Sequence, residues 1–144
     1  MKKSSIILIS IVYVASIIMI SVFGLRSVVY NEVIPVQQIE CINETKSGIN
    51  VGQTSTGIKT IIANFNSSSD KTLTLEWRVL PDNASNKNVL FVYDPNSAFE
   101  FLKDENGKEI GQIKFKSSVI TSVKIMAEDG SKVFTEIRIR AVVN

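Results

Sequence analysis

The chain has 144 residues, enough for one domain of ordinary size, and carries 16 Lys and Arg against 14 Asp and Glu. It has no histidine, which removes the commonest general base and metal ligand and excludes a Ser-His-Asp arrangement. Cys41 is the sole cysteine, so no intrachain disulfide forms, and the charge balance gives neither a basic stripe for nucleic acid nor an acidic tail.

Residues 6–25 (IILISIVYVASIIMISVFGL) hold no charge, and their polar side chains are three serines and one tyrosine. As a helix this run spans about 30 Å, the thickness of a bilayer's hydrocarbon core. Apolar residues occupy every face, unlike the stripe of period 3.6 that a core helix shows. The run is too long for the apolar region of a signal peptide, and Val22-Phe23-Gly24 is a poor cleavage site beside an A-x-A pattern. An uncleaved anchor is therefore expected in preference to a signal. Lys2 and Lys3 outweigh Arg26, which puts residues 1–5 in the cytoplasm. Without Lys2 and Lys3, the remainder carries equal numbers of basic and acidic residues.

Residues 26–35 (RSVVYNEVIP) read as a juxtamembrane connector, with Tyr30 suited to the headgroup region. From residue 36 to 144, short runs of period two alternate with turn-forming clusters, and no helical periodicity is sustained. Residues 36–43 and 58–65 are weak strand candidates. The polar loop between them is either mobile or hides a strand. The clearest strand is 72–79 (TLTLEWRV), with Leu73, Leu75, Trp77 and Val79 on one face. Residues 89–93 (VLFVY) are apolar on both faces, as a central strand is. Residues 99–102, the pair Ile113 and Phe115, and the row Val123, Ile125 and Ala127 follow. Residues 133–143 place Ile137, Ile139 and Ala141 opposite Glu136, Arg138 and Arg140. Asn106-Gly107 and Asp129-Gly130 are hairpin signals, because glycine adopts positive φ without steric cost. About seven strands at this spacing predict a β-sandwich.

The stretch LTLEWRVLPDNASNKNVLF (residues 73–91), with the Asn106-Gly107-Lys108 turn and a last hairpin through Asp129-Gly130, resembles bacterial immunoglobulin-like domains of the intimin and invasin type. The likeness centres on Val79-x-Pro81-x-Asn83-Ala84-Ser85-Asn86-Lys87-x-Val89. Phe91 stands where that family usually has tryptophan, and KSSV at 116–119 replaces a typical glycine. The resemblance implies an all-β, immunoglobulin-like Greek-key sandwich over 36–144, with a spacer or adhesion role and no catalytic motif.

The residues themselves agree with a non-enzyme. Asp94, Glu100, Asp104, Glu105 and Glu109 are dense enough to suggest calcium or glycoside chemistry, but they read more simply as solvated turns. Ser67–Ser69 and Ser117-Ser118 lack an activating base. Trp77 reads as a core aromatic, and Arg138 and Arg140 as members of cross-strand ion pairs. Cys41 reads as a buried hydrophobe, with a bridge to a partner as the alternative. No catalytic residue, metal ligand or cofactor is expected, and no ligand-binding residue can be named. The expectation is a single-pass plasma-membrane protein that meets the bilayer through residues 6–25, displays its sandwich outside the cytoplasm, and binds a protein or cell-envelope partner. The alternatives are a pilin-like or envelope-complex assembly subunit, and a secreted domain released by cleavage.

Overall fold

A computed structural model of the chain describes residues 3–24, 32–65 and 70–143, without the side chains of residues 20 and 22–24. The expectations for Lys2, Arg26, Tyr30, most of the connector and Ser67–Ser69 lie outside the described residues, and of the cleavage motif at 22–24 only the backbone is described. Two compact units result, Met1–Glu32 and Val33–Asn144.

The first unit contains α1 (Lys3–Gly24), an α-helix of 22 residues. Its described side chains run without a break from Lys3 to Met19, about 26 Å at helical rise. Among the described residues no helix is long and apolar enough to cross a membrane. The large apolar side chains from Ile6 to Met19 are exposed around the whole helix.

The second unit is all-β. Its described strands are β1 (Gln38–Cys41), β2 (Ile49–Gln53), β3 (Lys59–Phe65), β4 (Thr72–Thr74), β5 (Trp77–Leu80), β6 (Val89–Tyr93), β7 (Phe99–Lys103), β8 (Glu109–Phe115), β9 (Val119–Ala127) and β10 (Phe134–Val143). They form a five-stranded sheet in the order β2-β3-β10-β9-β6, a three-stranded sheet β4-β8-β7 and a two-stranded sheet β1-β5. β3 and β10 run parallel, and the other pairings are antiparallel. Period-two burial turns Ile61, Ala63, Val123, Ile125, Ile137 and Ile139 of the large sheet inward, all of them inaccessible to solvent. They meet Leu73, Ile113 and Phe115 of the three-stranded sheet in one core, where Phe65 and Phe115 lie 5.8 Å apart. This packing is sandwich-like.

Three expectations change. The polar loop hides a strand, β2, whose apolar contribution is only Ile49 and Val51. Residues 89–93 form an edge strand, not a central one, with Leu90 and Val92 exposed. Residues 72–79 are two strands in two sheets. The Leu75 N–H donates to the Gly111 carbonyl of β8 at 2.8 Å, whereas the Glu76 carbonyl accepts from Ile42 N–H beyond β1 at 2.9 Å. Asn43 bridges this change of partner. Its Nδ2 donates to the Thr74 carbonyl, and its Oδ1 accepts from the Glu76 N–H, both at 2.8 Å. A buried amide thereby replaces the ladder bonds that a strand loses on leaving a sheet.

The turns behave as their residues dictate. In the β7–β8 hairpin, Asp104 Oδ1 accepts from the N–H groups of Asn106 and Lys108, while Gly107 takes a φ of 79°. In the β9–β10 hairpin, Asp129 Oδ2 reaches out to accept from Val36 N–H at 2.6 Å. The Ser131 hydroxyl, together with the N–H groups of Val36 and Ser131, holds the Asp129 carboxyl below the usual carboxylate range. Ile34 exchanges two hydrogen bonds with Ser85, so the chain entering the β unit is fastened at two points.

Gly111 has a φ of 73°, and a Cβ there would lie 2.5 Å from the Trp77 ring. Gly111→Ala should cost about 3 kcal/mol in urea unfolding followed by the emission of Trp77, from backbone strain and overpacking together. Gly52→Ala, where a Cβ meets nothing within 4 Å, should change stability by less than about 0.5 kcal/mol. Asn43→Leu, which orphans the Thr74 carbonyl and Glu76 N–H, should cost about 2 kcal/mol in the same assay.

Candidate functional site

An open groove of about 740 Å³ lies along β1 and the β2–β3 hairpin, lined in part by Glu40, Ile42, Glu44, Gln53, Lys59 and Thr135. Its charges are largely engaged. Lys59 Nζ donates to the Cys41 carbonyl at 2.7 Å, and Glu40 pairs with Arg78 at 2.9 Å while accepting from Gln38. Cys41 is buried, and its thiol faces Asn43 Oδ1 at 3.3 Å. Burial pushes its pKa up, so the thiol stays protonated and unreactive near neutral pH.

The carboxylates picked out in the sequence do not converge. Glu100 pairs with Lys116 at 2.7 Å, and that contact holds its carboxyl below the usual range. Asp104 caps its own hairpin, and Glu109 accepts a hydrogen bond from the Tyr93 hydroxyl at 2.8 Å. Asp94 and Glu105 are exposed. Among the described residues, no group of three or more His, Cys, Asp or Glu is placed to hold a metal ion. Ser118 Oγ accepts from the Val143 N–H at 2.9 Å, tying the start of β9 to the end of β10. Trp77 is only partly buried, and it packs edge-on to Phe91 with centroids 5.3 Å apart.

The outward face of the five-stranded sheet is the surface with chemistry to offer. Its register runs one row across β6, β9 and β10 through Leu90, Met126 and Phe134, and the next through Val92, Lys124 and Glu136. Further along, Arg138 lies between Ser122 and Thr60, and Arg140 between Ile120 and Ile62. The ion pairing expected for the two arginines is therefore not what the register supplies, since their cross-strand neighbours are uncharged. Among the described residues neither arginine makes a salt bridge. Ile120 is 67% exposed and Phe134 50%, with Lys124 Nζ 5.2 Å above the Phe134 ring. Two guanidinium groups without a salt bridge among the described residues, with an apolar row on the same face, suit a protein surface better than a small molecule. Sequence reading missed the apolar half of this face. The signal was present in 89–93, whose outward residues are as apolar as its inward ones.

Tyr93 closes the aromatic chain at the sheet edge, stacked 4.3 Å from Phe101. Burial, followed by its bond to Glu109, pushes its phenol up to about 12. The folded state thus holds this proton more tightly than the unfolded chain, whose phenols titrate near 10. The associated stability should be complete below about pH 10 and lost as the pH rises through about 12. Unfolding measured across this window should show that loss in the native sequence, and Tyr93→Phe should remove this component of it.

No protein-family model matches the chain, and no curated protein is similar to it.

Proposed function

We propose that this is a single-pass membrane protein, anchored by residues 6–25, that displays an immunoglobulin-like Greek-key module outside the cytoplasm for a structural, adhesive or protein-binding role. The observation that carries the reading is the uncharged run of 20 residues beside Lys2 and Lys3. The exposed apolar side chains around the described part of α1 support it, because such a surface needs lipid or protein around it. For the module, support comes from the resemblance over residues 79–89, the two packed layers of sheet and the parallel β3–β10 pairing. The outward face with Arg138, Arg140, Leu90 and Phe134 is the surface offered to a partner.

A chain tagged at its C-terminus and expressed in bacterial cells tests this directly. The tag should stay in the membrane pellet through an alkaline wash and disappear when protease is added outside cells whose outer barrier has been opened. Recovery of the tag in the wash or the medium would overturn the anchor in favour of a cleaved, secreted domain. Recovery in sheared filaments would favour the assembly subunit.

A further inference from the structure

β6 has the composition of a buried central strand, yet it stands at the edge of the five-stranded sheet. Edges normally carry a charge, a proline or a covering segment, because open main-chain groups recruit other strands. The opposite edge is protected in that way. The N–H and C=O of Ile49 in β2 both bond to Lys46, and the Val51 N–H bonds to Thr45 Oγ1. β7, at the edge of the three-stranded sheet, carries Glu100 and Lys103. β6, VLFVY, has no charge, no proline and no such covering among the described residues.

The hydrogen-bond phase shows which groups are open. Glu128 N–H donates to the Asn88 carbonyl at 3.0 Å, in register with the β6–β9 ladder. Bonding pairs alternate along an antiparallel ladder, so Leu90 and Val92 bond toward β9, and Val89, Phe91 and Tyr93 turn their main-chain groups outward. Beside this edge lies a groove of about 190 Å³ reaching to Lys103 and Glu109 of the β7–β8 hairpin. The Lys108–Glu128 ion pair also lines it, with both side chains partly exposed, and such a pair yields at little cost.

We propose that β6 is a homodimer interface, in which β6 of two copies pair antiparallel about a two-fold axis at Phe91 and join two five-stranded sheets into one. This register is self-complementary. Phe91 bonds to Phe91 of the other copy, and Val89 of each bonds to Tyr93 of the other, which uses every outward main-chain group of the strand. On the outward face, Leu90 of one copy lies opposite Val92 of the other. The two exposed apolar side chains of β6, 36% and 42% accessible, thereby cover each other. The strand itself brings no charge to the seam, and the charges beside it are the Lys108–Glu128 pair and, across the groove, Lys103 and Glu109. A second copy fits this edge because the strand is its own complement.

The register makes the test specific. Leu90 and Val92 of facing copies form a non-hydrogen-bonded pair, with Cα atoms about 4.5 Å apart, within disulfide range. In a full-length chain with Cys41→Ser, Leu90→Cys and Val92→Cys are prepared separately in detergent and then oxidised alone and mixed. A covalent dimer should form in the mixture and stay at background with either variant alone. Val92→Lys introduced into the Leu90→Cys partner should abolish the dimer, while the emission of Trp77 shows the fold intact. No dimer in the mixture of folded chains, or equal dimer in the single variants, overturns the proposal. The second outcome would point to another register or to pairing through α1. Because the readout is the register of β6, it stands or falls independently of the membrane anchor.

Discussion

The approach of the β8 backbone to Trp77 is the contact on which the β unit depends. Gly111 sits under the indole with no room for a Cβ, and its positive φ bends β8 at the point where Leu75 takes its last bond to that strand. Three sheets meet there: β8 from one, Trp77 from the second, and Phe91, which Trp77 touches edge-on, from the third. From Phe91 the rings continue through Phe101 to Tyr93 and Phe99, with centroids 4.3–5.7 Å apart. Rigid aromatic side chains bury large areas at small entropic cost, which suits a unit of this size whose sheets are narrow. The small two-stranded sheet contributes Ile39, Cys41 and Val79 to the same core, and it is held there by Trp77 and the Asn43 bridge.

The inward rows of β8, β9 and β10 were legible because period two survives wherever one face is buried and the other wet. The hairpins were legible because Asn-Gly and Asp-Gly sequences leave few conformations open. The split of 72–79 was not legible. Alternation reports which face is buried, and Leu73, Leu75, Trp77 and Val79 stay inward across the break. What changes is the hydrogen-bonding partner, which no side-chain pattern records. Its trace in the sequence is Asn43, the last residue of the weak strand candidate 36–43, some thirty residues earlier. β2 was hidden for a related reason, since two apolar residues flanked by Gly and Asn make too short a pattern.

The candidate surface was legible in part. The arginines were found, but their neighbours follow from the register of β10 on β9 and β3, which the sequence does not fix. The carboxylates were found too, and the fold disperses them. One caps a turn, one pairs with Lys116 and one holds a phenol. Spacing along the chain brought them close, whereas a β-hairpin alternates its side chains to opposite faces and separates them.

The misreading of 89–93 is the most informative of these differences. A strand apolar on both faces is read as central because burial on both sides is the usual reason for that pattern. At an edge the same pattern is a liability unless something completes it, since an open strand of this kind pairs with any other it meets. The two edges of the large sheet therefore have to be considered together. With β2 capped by Lys46 and Thr45, pairing through β6 consumes the open edge of the large sheet on each copy and leaves that sheet, among the described residues, no second edge for growth. The result closes as a two-fold dimer and does not extend into a fibre. An uncapped β6 beside a capped β2 is the asymmetry that a closed pair requires.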